Sequence, residues 1–301
     1  MLLLVCALIL VCTIGYLAQT TGLCMVRGVN EWKNGNPSFL LAILLSGVLA
    51  WVAGLFSYLY NIPLTVNTYE ASAWFVIGGI VFGLGTSLNN GCGVSTLSKL
   101  SRGDLKMVAT IIGWLVGWTI LSYWQPGINI VETALPTNVI YGVLFVASIF
   151  IVIWALKGDK ERKKLWFSML GIGLLAGFLF LYERHWTPSG LLQHLSGAML
   201  NGDTHVWPAV ERYLLFLALL AGMFIAAWRS NKFDVQLGSL RLWLVHIIAG
   251  TLMGVGASLA MGGNDSQLLV ALPTFSPAGV VAVLGMIVGI RLGLYIKSLM
   301  S

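Results

Sequence analysis

The sequence predicts an all-α polytopic membrane protein, with about nine transmembrane helices in an inverted repeat of four, one and four, and with short re-entrant helices between them. Three observations predict it: apolar runs long enough to cross a bilayer, a one-sided distribution of basic residues, and a glycine pattern that occurs twice.

Hydrophobic residues make up 58% of the 301 positions and charged residues 9%, with a mean hydropathy of +0.88. A water-soluble domain of this size cannot sustain that balance, so the bilayer is the solvent. Nine apolar runs stand out: Leu2 to Ala18, Phe39 to Tyr60, Ala73 to Leu88, Leu105 to Trp124, Val139 to Leu156, Leu165 to Tyr182, Tyr213 to Trp228, Leu242 to Met261 and Ala278 to Ile296. They are continuous rather than alternating, which selects helices over barrel strands. Met1 to Leu10 has no basic flank, and no small-residue cleavage site follows it. That run is therefore read as the first span and not as a signal peptide.

The 17 Lys and Arg orient the chain. Segments after odd-numbered spans carry Arg27 and Lys33, then Lys99, Arg102 and Lys106, then Lys157, Lys160 and Arg162 to Lys164, then Arg229, Lys232 and Arg241, and last Lys297. Segments after even-numbered spans carry only Arg184. Basic loops stay on the cytoplasmic side, so a bacterial inner-membrane protein with its N-terminus outside and its C-terminus inside is expected. The net charge of +6 follows from this topology, and no nucleic-acid partner is expected.

Gly79, Gly83, Gly85, Ser87 and Leu88 in span three recur at the same intervals as Gly250, Gly254, Gly256, Ser258 and Leu259 in span eight. Gly113 and Gly117 in span four have counterparts in Gly285 and Gly289 of span nine, and Thr21-Gly22-Leu23-Cys24 matches Ser189-Gly190-Leu191-Leu192. Close helix packing explains single glycines, but not their repeated order. Residues 1–124 and 165–301 are thus expected to be two copies, joined by span five and the basic loop within 125–164. An odd number of spans separates their starts, so the second copy is inverted, an arrangement that recurs in transporters.

Each copy holds two polar, glycine-containing segments too short to span: Thr20 to Trp32 and Asn89 to Gly103, then Thr187 to Gly202 and Gly262 to Ser276. Irregular backbone at membrane depth is tolerated where it lines a cavity or is buried in protein, so these segments are expected to re-enter the membrane and handle a solute. In Asn89-Asn90-Gly91-Cys92-Gly93 two amides and a thiol precede a short helix. Helix N-termini favour anions, and a neutral thiol is a soft, weak donor suited to sulfur-containing solutes. A structural turn around a buried free cysteine is the plain alternative. Cys6 and Cys12 are expected to pack among Leu and Val, the four cysteines lack metal-site spacing, and no phosphate-binding loop occurs. No enzyme activity, metal or cofactor is expected. His246 is expected to be a hydrogen-bonded structural group rather than a proton relay, and Arg291 to snorkel or pair internally.

The Thr21 to Cys24 motif, Asn90-Gly91-Cys92-Gly93 continuing to Leu100-Ser101-Arg102-Gly103, and Gly262-Gly263-Asn264-Asp265 continuing to Leu272-Pro273 resemble the YeeE/YedE family of sulfur-compound transporters over essentially the whole chain. The resemblance implies an hourglass-shaped inverted repeat whose cysteines engage thiosulfate through S–H hydrogen bonds and pass it inward, often to a small cytoplasmic sulfur-carrier protein. Cys24 and Cys92 match its first-half cysteine motifs. The second half departs: Leu192 stands opposite Cys24, and the Gly262 to Asp265 segment carries one inserted residue and no cysteine. Asn264 and Ser266 are the expected replacement donors, while Asp265 must be shielded, protonated or turned away. The expected pathway is Cys24, Asn90, Gly91, Cys92, Gly93, Asn264, Asp265 and Ser266. A membrane-embedded thiol or persulfide protein of sulfur or selenium metabolism, and a non-transporting membrane partner, remain the rivals.

Overall fold

The computed structural model describes residues 1–62, 68–124, 131–133, 137–201 and 207–300. Gly202, the expected end of one re-entrant segment, lies outside the described residues, as does part of the expected linker at 125–130. Among the described residues, nine helical stretches are long and apolar enough to cross a membrane. The protein is a multi-pass α-helical membrane protein; among the described residues, Thr68–Tyr69 pairs antiparallel with Glu132–Thr133 and a single parallel bridge joins Asp104 to Gln236.

In chain order the helices are α1 (Leu2–Thr21), α2 (Met25–Lys33), α3 (Ser38–Leu44), α4 (Ala50–Leu59), α5 (Ala73–Leu88), α6 (Gly93–Leu100), α7 (Met107–Trp124), α8 (Thr137–Leu156), α9 (Lys160–Tyr182), α10 (Pro188–Asn201), α11 (Val210–Arg229), α12 (Leu240–Leu259), α13 (Asn264–Ser266) and α14 (Pro277–Met300). A wider-wound π turn, Gln267–Ala271, continues α13. Each of the four polar segments singled out in the sequence thus contains a short helix, α2, α6, α10 or α13 with its extension.

Two boundaries and one side-chain placement differ from the sequence reading. The second span is broken by a 3-10 turn at Ser46–Leu49, where the Ser46 carbonyl lies against Gly173 and Gly47 against the ring of Pro273. Hydropathy is blind to such a break because every residue in it is apolar or small. Second, α9 begins at Lys160, capped by Asp159, whose Oδ1 accepts the Arg162 N–H at 2.9 Å. Most of the expected basic loop is therefore its first turns. Third, Cys6 faces outward from α1 instead of packing.

The core is a set of helix pairs held at backbone distance. α12 packs against both α7 and α5, and α14 packs against α5. A Cβ added to Gly250 or Gly254 would collide with the carbonyls of Thr110 or Trp114 on α7, and one added to Gly113 or Gly117 with those of Ile247 or Thr251 on α12. The same reciprocal meshing joins Gly79 and Gly83 of α5 to Gly285 and Gly289 of α14. A second layer pairs α1 with α11 and α9 with the 38–59 segment. Without a hydrophobic force between helices in lipid, small residues let dispersion and carbonyl contacts do the holding. α8 stands apart, only 17% of its spanning window being buried against 61% for the window containing α5 and α6.

Replacing Gly254 by Val should lower the thermal midpoint in detergent by the equivalent of about 1–3 kcal/mol of overpacking. Gly142 on α8 has nothing within 4 Å of an added Cβ, so Gly142→Val should stay within about 0.5 kcal/mol of wild type. Equal losses at the two positions would contradict the packing described.

Candidate functional site

Two clusters form where short helices begin. At the first, Gly22 ends α1 in the left-handed region (φ 65), a conformation glycine adopts at no steric cost, and Cys24 caps α2 in an extended conformation. α5 ends through left-handed Asn90 (φ 55), and Cys92 caps α6. These two turns bring Cys92 against the head of α2 next to Cys24, although 68 positions part the two cysteines in sequence. The Met25 N–H, at the head of α2, donates to Cys92 Sγ at 3.5 Å, and Ser95 Oγ donates to the same sulfur at 3.7 Å. Cys92 is wholly buried.

Asn89 fixes this turn. Its amide NH2 donates to Gly91 O at 2.8 Å and Thr96 Oγ1 at 2.7 Å, while its Oδ1 accepts from Thr110 Oγ1 at 2.7 Å and from His246 Nδ1 at 2.7 Å. With the amide assigned this way, Nδ1 of His246 carries the proton. His246 is a hydrogen-bonded structural group, tying α12 to α5, α6 and α7. Beyond the thiols, Lys297 Nζ donates to Ser87 O and to Asn90 Oδ1 (2.7 Å), and Lys99 Nζ to Asn90 O at 2.8 Å. Asn90 therefore spends its side chain on a lysine at the end of α5. Arg291 lies over the Trp32 ring at 5.4 Å.

The second cluster repeats the first in backbone and replaces its side chains. Asn90 N–H to Ser87 O and Gly91 N–H to Thr86 O recur, at one constant offset, as Met261 N–H to Ser258 O and Gly262 N–H to Ala257 O. Met261 is left-handed like Asn90, both near φ 55. Cys92 (φ −78, ψ 179) matches Gly263 (φ −76, ψ −177). No residue is inserted: Gly263 stands where Cys92 does, Asn264 where Gly93 does, and Ser266 where Ser95 does. The counterpart of Cys24 is Thr187 and not Leu192, because Thr187 Oγ1 accepts the Gly190 N–H (3.2 Å) ahead of Pro188 at the start of α10. Thr-Pro at a helix head is a readable start signal.

Here a carboxylate takes the place of the thiol. Asp265 Oδ2 accepts the Ser189 N–H at 2.9 Å, and Oδ1 accepts the Ser266 N–H at 3.0 Å. Ser189 Oγ and Ser266 Oγ lie 2.6 Å apart, with Thr187 Oγ1 3.4 Å from the latter. Thr187 and Ser189 were not among the residues expected from sequence. Beside them Asn264 is 1% exposed and neither of its amide atoms has a partner. Its Oδ1 lies 3.3 Å from where a Cβ on Gly93 would sit, so the heads of α6 and α13 meet there, with the Trp114 ring against both.

Two spaces adjoin the second cluster. A void of about 50 Å³ is lined by Asn264, Asp265 and otherwise largely apolar side chains from both halves, among them Leu23, Val94 and Leu219. On the other side of Ser266 and Thr187 lies a cavity of about 450 Å³, with Arg184, His185, Gln193 and Thr68 in its wall. Burial pushes His185 down to about 4, helped by the charges of His194, Arg212 and Arg184, so its ring is neutral near pH 7. The two clusters together thus present hydroxyls, an amide, a carboxylate and two thiols. Neutral donors of this kind hold an anion weakly enough to release it, and the thiols suit a soft, polarisable one.

The sulphur transport family model matches residues 20–169 and again 133–292, two overlapping copies that together cover most of the chain. The thiosulfate transporter TsuA of Escherichia coli K12 is 26% identical over 92% of this chain and 90% of its own length. The probable transporters YedE of Escherichia coli K12 and of Salmonella typhimurium are each 26% identical over 46% of this chain and 38% of theirs. These relatives are named as a transporter and probable transporters rather than as enzymes, and with nine apolar helices among the described residues, the chain belongs to the sulphur transport family.

Proposed function

We propose that this protein is an inner-membrane permease that imports thiosulfate or a related small sulfur-containing anion, passing it between thiol and amide groups. The observation that carries this reading is the unpaired Asn264 amide beside a void whose wall includes Leu23, the chain neighbour of Cys24, and Val94, a near neighbour of Cys92, at the heads of α2 and α6. Residues 1–124 and 165–301 are read as two inverted copies, with α8 the linker, which accounts for the recurring turns. On the basic-residue rule the 450 Å³ cavity faces outside and Lys99 and Lys297 face the cytoplasm. An anion then enters past Arg184, crosses Ser266 and Asp265, pauses at Asn264, and leaves past Cys92 and Cys24 toward the lysines.

Moving a dianion inward against 100 mV costs about 4–5 kcal/mol, each charge contributing about 2.3. Coupling to another ion, or rapid consumption in the cytoplasm, offsets this. A small acidic sulfur-carrier protein fits the basic start of α9 as a cytoplasmic acceptor, though the positive-inside rule alone accounts for those lysines. One observation favours a second reading, a thiol or persulfide protein: Cys24 supplies the neighbouring thiol that a Cys92 persulfide needs for resolution. Mass spectrometry of Cys92 after exposure to a sulfane-sulfur donor separates the two, since a pure permease leaves the thiol unmodified.

Reporter fusions should place the N-terminus outside and the C-terminus inside; the reverse pattern would invert the direction assigned to the path. In proteoliposomes the protein should take up thiosulfate in preference to sulfate. Cys92→Ala should cut the rate on the order of tenfold, the equivalent of one lost hydrogen bond of about 1.4 kcal/mol. Cys6→Ser and Cys12→Ser should transport like wild type. Wild-type rates from folded Cys92→Ala protein would remove the thiol from the path.

A further inference from the structure

We propose that Asp265 is a proton-carrying gate, which binds a proton from outside to admit the anion and so makes the permease a proton-coupled importer. The proposal rests on the permease reading and adds the coupling ion to it. Asp265 sits in the partition between the two spaces: its neighbours Ser266 and Thr187 line the large cavity, and its own side chain lines the small void. Leu269 borders both spaces as well, so the wall between them is formed by an apolar side chain and by the Asp265 carboxyl group with its hydroxyl neighbours.

Comparison of the two clusters shows what the carboxylate does there. In the first half the N–H at the head of α2 meets a neutral thiol, Cys92. In the second half the residue at the place of Met25 is Pro188, which has no N–H, and the next N–H at the head of α10, from Ser189, meets the Asp265 carboxylate, which also takes the Ser266 N–H. The donors an incoming anion needs are therefore already filled by an anion belonging to the chain. No ion pair involves Asp265 among the described residues, so nothing neutralises it, and a second anion beside it is repelled through a poorly screening interior. Next to it the Asn264 amide, buried and unpaired on both atoms, faces the void without a ligand from the protein. A polar group kept that way is costly unless something visits it.

Protonation resolves the conflict. A proton from water in the large cavity adds to an Asp265 oxygen, the carboxyl group becomes neutral, and the Ser189 N–H is freed for the anion, which then reaches the Asn264 NH2. As the anion moves toward Cys92 the carboxyl gives the proton up to it, or to water travelling with it, and re-forms its bond to Ser189. Only O–H bonds are made and broken, and each proton carried cancels one charge of the anion.

Asp265 is the one titratable group among the described residues lining the void. The others on neighbouring elements are His194 on α10, Glu183, Arg184 and His185 in the segment before it, Arg212 on α11, which pairs with Glu183 at 3.1 Å, and Cys24 and Cys92 at the heads of α2 and α6. α1, α7, α9 and the 46–49 turn present no titratable side chain to it. His185, pushed down to about 4, stays neutral from about pH 5 to 8, so it does not shape a response in that range.

The test uses proteoliposomes with an internal pH dye and the membrane potential clamped to zero by potassium and valinomycin. Adding thiosulfate outside wild-type protein should acidify the lumen, and an acid exterior should speed uptake several-fold. Asp265→Asn keeps the shape and the neutral state, so it should still carry thiosulfate while losing both the acidification and the pH response. His194→Gln should keep both. Thiosulfate uptake by the wild type without proton entry would overturn the coupling and leave the permease reading standing; so would an Asp265→Asn protein that still moves protons. No uptake of thiosulfate or sulfite at any pH would overturn the permease reading and the coupling with it. The wild-type proton measurement decides the matter even where the variant does not fold.

Discussion

A backbone N–H at the start of a helix has no partner within that helix, and inside a bilayer no water is at hand to supply one. The architecture follows from that constraint. α2, α6, α10 and α13 begin within the protein interior, and the groups gathered at their heads are the ones that answer those N–H donors: Cys92 for Met25, Thr187 for Gly190, Asp265 for Ser189. A translocated anion is another such answer, so site and structural solution coincide. Full-length helices could not make this site, because their ends lie in the headgroup region.

Holding irregular turns at that depth requires a rigid frame around them, and the glycine pairs provide it. α7 against α12 and α14 against α5 approach until carbonyls touch glycine Cα atoms, which leaves little room for sliding. The Asn89 network then locks the first turn to that frame through Thr110 and His246. The second turn has a lighter lock, Gln267 Nε2 to Ala260 O at 2.6 Å, and a carboxylate where the first has a thiol. The half with the firmer lock holds the sulfurs, and the half with the lighter lock holds the group proposed to change charge.

Spans, glycine spacing and the four polar segments were legible in the sequence because each rests on local composition: continuous apolar runs, intervals of four between small residues, and Gly beside Asn or Cys. What escaped depends on register and on contacts far apart in the chain. Aligning Leu192 with Cys24 followed the shared Gly-Leu pair, whereas the fold aligns helix heads, and Thr187-Pro188 marks the head of α10. An apparent insertion after Gly263 came from matching glycine to glycine across a position where Asn264 replaces Gly93. The approach of Cys92 to the head of α2 is invisible to spacing because two separate turns create it. The break at Ser46 lies within uniform hydropathy, and its cause sits on α9 and at Pro273.

The central claim is that the small void lined by Asn264 and Asp265 holds the anion midway. Anomalous scattering at the selenium edge, from crystals of the native-methionine protein equilibrated with selenosulfate, measures this directly. The predicted result is one anomalous peak in that void, within hydrogen-bond reach of the Asn264 amide, lost in an Asn264→Leu protein. Selenium bound only at the surface or in the large cavity, with the void empty at saturating solute, would contradict it.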